Sequence, residues 1–113
     1  MNIIENKISV NELKQMAQSK FGNLVKAVVD IERKIMAVDA ELHADEEALL
    51  IENGSKQQDL WGINIYPELM QNEWIEFDSM INLRPAQGNI SRGINDPGIR
   101  EKISNIVNGM ITK

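Results

Sequence analysis

A chain of 113 residues is long enough for one domain, residues 1–113, with a single modest core, and too short for two. Its 42% hydrophobic and 26% charged residues are ordinary for a folded protein and argue against disorder. The formal charge of −5 disfavours generic binding of nucleic acid, because a net negative surface repels phosphates.

The composition also bears on the compartment. The chain has no cysteine, which excludes disulfides and thiolate chemistry and fits a reducing cytoplasm. The opening MNIIENKISV lacks a basic region followed by an apolar run, so we expect no signal peptide. No wholly apolar run exceeds four residues, whereas a membrane-spanning helix needs ~20. We therefore expect a soluble cytoplasmic protein without a membrane partner.

The first half of the chain predicts a helix, a hairpin and a second helix. Ser9 and Glu12 have the spacing of a capping box, and the helix that they open is expected to end at Gly22. Segments 24–31 and 34–42 are rich in β-branched and aliphatic residues and predict a β-hairpin with its turn at residues 32–34. Segment 44–53 predicts a short helix with acidic residues in its first turn.

The second half predicts two strands and a helix. Segment 60–66 predicts a third strand. Segment 74–84 alternates apolar and polar residues, which predicts a fourth strand with Phe77 and Ile81 facing the core and Asp78 and Asn82 facing solvent. A C-terminal helix is predicted to begin at Asp96, which is followed by proline.

The predicted order is therefore α-β-β-α-β-β-α. Two hairpins indicate an α+β fold of two layers, with a mainly antiparallel four-stranded sheet and the helices packed on one face. The pairing between the two hairpins stays open. An open sheet leaves two edges that proteins tend to cover or pair, so we expect a homo-oligomer, most simply a dimer.

The polar loop over residues 84–93 is the strongest candidate for a site. Arg84 and Arg92 lie at its two ends, with Gln87 and Asn89 between them. Guanidinium groups and backbone N–H groups near glycine suit a phosphate or a carboxylate, and polar loops of this length are uncommon in compact domains. The alternative is a long connection whose side chains satisfy its own turns.

The single histidine, His43, allows two interpretations. It is either a general acid or base assisted by Asp45, or a polar residue at a wet junction between strand and helix. One histidine without any cysteine argues against a zinc site. No phosphate-binding glycine motif or nucleophile elbow is present, and we predict no cofactor and no metal.

Two strands contribute further candidates. Glu76 and Asp78 share a strand face and either serve a ligand or acid–base chemistry, or belong to the solvated side of the sheet. Asn64 and Tyr66 share a face of the third strand.

The sequence is compatible with two hypotheses for the function. The first is a site for a small anionic ligand, phosphate or carboxylate, and its candidate residues are Arg84, Gln87, Asn89, Arg92, His43, Asn64, Tyr66, Glu76 and Asp78. The second is a non-enzymatic module for protein–protein interaction or oligomerisation. Arginines that converge on an open cleft favour the first, and arginines used in internal contacts favour the second. Whether the protein is an enzyme stays open.

The segments LVKAVVDIERKIMAV, ELHADEEALL, DLWGINIYPE and IEFDSMINLRPAQGNISRG occur in this order. Together they resemble an uncharacterised family of small prokaryotic proteins defined as a domain of unknown function. The family pattern has a glycine in the hairpin turn where this chain has Lys34. The resemblance implies a small soluble protein that stands alone, and it implies no activity, cofactor or catalytic residue.

Overall fold

Local sequence signals set the ends of the helices in the computed structural model, which describes all 113 residues. Ser9 accepts a hydrogen bond from the Glu12 backbone, and the Glu12 carboxylate accepts one from the Ser9 backbone, so the capping box is confirmed. Gly22 follows the end of this helix with a φ of +91°. Asp96 caps the C-terminal helix through a bond from the Gly98 N–H.

Three helices and a mainly antiparallel sheet are confirmed, whereas the order of the elements differs in part from the prediction, because short strands are added at residues 2–4, 8–9 and 111–112. The elements are β1 (Asn2–Ile4), β2 (Ile8–Ser9), α1 (Val10–Lys20), β3 (Val25–Asp30), β4 (Ile35–Val38), α2 (His43–Glu52), β5 (Leu60–Ile65), β6 (Ile75–Glu76), α3 (Pro97–Met110) and β7 (Ile111–Thr112). Short 3₁₀ turns occur at Gln57–Asp59, Met80–Asn82 and Pro85–Gln87. None of the helices combines the length and the apolar character that crossing a bilayer requires.

The main sheet has five strands in the order β1-β4-β3-β5-β6, and every neighbouring pair is antiparallel. The prediction of four strands was wrong, because residues 2–4 add an edge strand beside β4. Three residues are too few to show an alternation pattern. β2 and β7 form a separate parallel pair that joins the two ends of the chain.

The hairpin between β3 and β4 turns where the sequence predicts it, but through different chemistry. Lys34 occupies the left-handed position with a φ of +57°, where glycine is the usual residue. The turn is held instead by Asp30, whose Oδ1 accepts from the backbone N–H groups of Glu32 and Arg33, each at 2.9 Å. Its other oxygen accepts from Ser55 Oγ at 2.6 Å. A buried carboxylate thus supports the strained residue.

Helices cover both faces of the sheet, so the prediction that they pack on one face was wrong. Apolar residues of α1 and α3, among them Leu13 and Ile103, pack against Ala27 and Val29 of β3 in the larger core. Leu50 of α2 packs against Val28, which points to the opposite face, in a smaller core. The reason is that β3 and β4 are almost entirely buried and largely apolar, a pattern typical of strands covered on both sides.

The predicted fourth strand is confirmed only at Ile75–Glu76, and its face assignment was wrong at Asn82. Asn82 is fully buried, whereas Phe77 and Ile81 are half-buried. The chain leaves the sheet because the Asn82 amide bonds both the N–H and the carbonyl of Gly62, at 2.8 and 2.9 Å. A Cβ at Gly62 would lie 2.5 Å from Ser79 Cβ, so this close approach requires glycine.

Candidate functional site

The structure divides the nine predicted residues between two places. Arg84, Gln87 and Asn89 lie in a network of internal contacts. The other six line a depression of about 600 Å³ beside the start of α2, here called the Asn64 cleft: His43, Asn64, Tyr66, Glu76, Asp78 and Arg92. The two ends of the predicted loop therefore lie in different places: Arg84 makes internal contacts, and Arg92 lines the cleft.

Arg84 is used inside the protein. Its guanidinium donates to three backbone carbonyls, those of Gln57, Leu60 and Ile81. It also lies 4.7 Å from the centre of the Trp61 ring, in the arrangement of a cation–π contact. Only 9% of the side chain is exposed. These contacts favour the structural interpretation of this arginine.

Glu47 of α2 is the ionic partner of Arg84. Arg84 Nη2 lies 3.6 Å from Glu47 Oε2, close enough for an ion pair and too far for a hydrogen bond. Burial raises the pKa of Glu47 and lowers the pKa of Arg84, while the charge of each partner opposes that effect on the other. The pair ties the start of the polar loop to α2.

Asn89 and Gln87 hold the rest of the loop. Asn89 Nδ2 donates to the carbonyls of Asn82 and Gly93 at 2.7 and 2.8 Å, and Oδ1 accepts from the Asn95 N–H at 2.8 Å. Gln87 Nε2 donates to a backbone carbonyl of the 3₁₀ turn before β5 at 3.3 Å. The polar composition of this segment thus satisfies its own backbone groups, which sequence reasoning left as one of two alternatives.

The Asn64 cleft is built on three neighbouring strands. The pairing register places Lys26 of β3 opposite Asn64 of β5, and Asn64 opposite Glu76 of β6. These side chains therefore stand in a row on the face of the sheet that α2 covers only in part. Lys26 was missed as a candidate. The available signal was a charged residue between two apolar residues near the start of this strand.

Asn64 is the centre of the polar contacts in the cleft. Its Nδ2 donates to Glu76 Oε1 at 2.9 Å and to the Asp78 carbonyl at 3.4 Å, and Tyr66 donates to the same Glu76 oxygen at 3.0 Å. Burial, followed by the contact with Glu76, raises the pKa of Tyr66. The Asn64 Oδ1 is buried without a partner. A buried polar atom in that state costs about 1–3 kcal/mol of stability.

His43 is the first residue of α2 and is largely buried. Its Nε2 lies 2.7 Å from the carbonyl oxygen of Ile63. Desolvation lowers the pKa of His43, with the hydrogen bond to Ile63 opposing and the charge of Lys26 assisting. Asp45 makes no hydrogen bond to His43 and lines a different depression, so the geometry does not support the predicted assistance.

Arg92 and Asp78 form an ion pair at the mouth of the cleft, with 2.8 Å between Nε and Oδ1. Their side chains are 55% and 43% exposed, and pairs exposed to this degree contribute at most ~1 kcal/mol. The Arg92 carbonyl accepts from the Ser79 N–H and from Asn82 Nδ2, each at 3.0 Å, which anchors its backbone. No three His, Asp or Glu side chains come together in an arrangement that could hold a metal ion.

The comparisons with known proteins agree with the resemblance. No curated protein and no solved structure matches the chain. A family model described as protein of unknown function (DUF5674) matches residues 2–110, which include all four segments that carry the resemblance. The chain belongs to this DUF5674 family of proteins of unknown function.

Proposed function

We propose that the protein binds a small anionic ligand, a carboxylate or a phosphate compound, in the Asn64 cleft. The observation that carries the proposal is the presence of two cationic side chains, Lys26 and Arg92, at one depression. Ligand pockets typically combine an apolar wall with a few converging polar groups. Phe21 and Leu42 contribute apolar wall here.

The two cations differ in how they are held. Lys26 Nζ lies 5.0 Å from the centre of the Phe21 ring and forms no ion pair. Arg92 is paired with Asp78 near solvent, and such a pair exchanges a partner at little cost. An entering carboxylate or phosphate can therefore take charge-assisted hydrogen bonds from both without disrupting the core.

Thermal unfolding in inorganic phosphate and in acetate, each against sodium chloride at equal ionic strength, tests the proposal. A ligand at ten times its Kd raises the free energy of unfolding by about 1.4 kcal/mol, or roughly 5 °C in Tm. We expect protection of the native chain and its loss in Lys26→Met and in Arg92→Met. Lys56→Met removes one positive charge outside the cleft and is expected to keep the protection. Equal protection of all four proteins would contradict the proposal.

Self-association is a second candidate, supported by the open edge of the sheet. β1 pairs with β4 on one side only, and its other side presents unpaired backbone groups. Light scattering at micromolar concentration is expected to give the mass of a dimer, independent of phosphate. A monomer mass at every concentration would contradict this candidate and leave the ligand site untouched.

A further inference from the structure

We infer that the ligand of the Asn64 cleft carries an N–H or O–H donor beside its anionic group, and that Nδ1 of His43 accepts the hydrogen bond from that donor. This inference rests on the proposed function and narrows the ligand to the class of hydroxy acids, amino acids and hydroxylated phosphate esters. Simple carboxylates and alkyl phosphates lack the second group.

The tautomer of His43 follows from its partner. A carbonyl oxygen only accepts, so the contact of 2.7 Å between Nε2 and the Ile63 carbonyl requires the proton on Nε2. In the neutral ring Nδ1 then carries a lone pair. Nδ1 has no partner in the protein and is not among the fully buried polar atoms. His43 lines the cleft, and its Nδ1 is an acceptor there that cannot donate.

A second acceptor lies in the same wall of the cleft. Asn64 Nδ2 is directed at Glu76 Oε1 and at the Asp78 carbonyl, and both are acceptors, which fixes the orientation of the amide. Its Oδ1 is left without a donor. Asn64 directly follows Ile63, the residue whose carbonyl holds His43. Because Asn64 Oδ1 is buried, the acceptor that this wall offers to a ligand is His43 Nδ1, while the donors Lys26 and Arg92 suit the anionic group.

The charged groups near His43 affect whether its ring is protonated, and only the neutral ring leaves Nδ1 free to accept a hydrogen bond. Lys26 on β3 and Arg92 beside β6 oppose a positive charge on the ring, and Asp78 favours one. The acidic residues Asp45, Glu46 and Glu47 follow His43 on its own helix.

Nitrogen NMR of the single histidine, combined with matched probe pairs, tests the inference. The ligand-free protein is expected to show the Nε2–H tautomer. Lactate and propionate share a carboxylate and differ by one hydroxyl group. In the same way, 2-hydroxypropyl phosphate and propyl phosphate share a phosphate and differ by one hydroxyl group. We expect the more hydroxylated member of each pair to bind about 3- to 10-fold more tightly and alone to shift the Nδ1 resonance.

His43→Gln is the matched variant. Its side-chain amide can still donate to the Ile63 carbonyl near the position of Nε2, but its acceptor Oε1 does not coincide with the position of Nδ1. We expect this variant to lose the preference for lactate over propionate, whereas Lys56→Met keeps it. If the variant does not fold, the NMR experiment on the native chain decides alone.

The outcomes separate this inference from the proposed function. A proton on Nδ1, or equal affinities within each probe pair, overturns the inference while the anion site stands. If none of the probes binds, the anion site and the inference are both overturned.

Discussion

Replacing Arg84 by methionine is expected to lower the free energy of unfolding by about 3–5 kcal/mol, because it removes a largely buried charge and leaves the half-buried Glu47 without its partner. The same change removes the donors to three backbone carbonyls and the contact with the Trp61 ring. For a domain of this size the loss corresponds to a fall in Tm of roughly 10 °C or more. Urea and thermal unfolding followed by circular dichroism measure both quantities.

Arg92→Met is the matched control for this prediction. It removes an arginine from the other end of the same loop, but the Arg92 pair is exposed, so we expect a loss of at most ~1 kcal/mol. Adding Glu47→Gln to Arg84→Met is expected to recover part of the stability, because the unpaired carboxylate is then neutral. If the two arginine substitutions lowered the free energy of unfolding equally, the prediction that burial makes the Arg84 contacts more stabilising would be wrong.

Replacing Glu46 by glutamine is expected to stabilise the protein above pH 6 and to change little near pH 4. Glu46 is fully buried in α2, and its carboxyl has one partner, the Ala40 N–H at 3.1 Å. Burial raises the pKa of Glu46 to about 9 from an ordinary value of 4.5, with the Ala40 bond and the charge of Lys26 opposing. The folded protein therefore keeps this group protonated at neutral pH.

The sign of the pH effect follows from that shift. Between pH 4.5 and 9 the unfolded chain releases the Glu46 proton and the folded chain retains it, so native stability falls as the pH rises. One pH unit corresponds to about 1.4 kcal/mol, which places the cost at pH 7 on the order of 3 kcal/mol. Glutamine has no such proton and avoids this cost.

Urea unfolding of both proteins at pH 5 and at pH 8 measures the effect. His43 acts in the opposite direction, because its lowered pKa removes stability as the pH falls below 6.5. Both proteins contain His43, so its contribution cancels in their difference. If the difference in free energy of unfolding between the two proteins were the same at pH 5 and at pH 8, Glu46 would be ionised in the folded state.

The parts of the fold that sequence reasoning found are those with local causes. The capping box at Ser9 and the Asp96 cap depend on residues at most three positions apart. The register of β3 with β4 follows from the turn that joins them. The strand at Asn2–Ile4 and the pair of β2 with β7 depend on partners far along the chain, and no local pattern indicates them.

The grouping of the candidate residues could also be predicted only where it depends on residues close together in the sequence. Glu76 and Asp78 are two residues apart in the sequence, and both line the Asn64 cleft. The register of β5 with β6 places Asn64 opposite Glu76. Arg84 and Arg92 look equivalent in sequence, but they differ in exposure: Arg84 pairs with Glu47 in the middle of α2, whereas Arg92 pairs with Asp78 near solvent. Lys26 enters the cleft through the pairing of β3 with β5, which the sequence left open.

The amide of Asn82 has a consequence for how copies of this protein can assemble. Continuing the register of β5 with β6 would set Asp78 opposite Gly62, but the Asn82 side chain satisfies both peptide groups of Gly62 instead. The Asn82 side chain therefore closes β5 at Gly62 to an incoming strand, whereas the outer side of β1 is unpaired. We therefore expect a second copy that pairs edge to edge about a two-fold axis to do so at β1 rather than at Gly62 of β5.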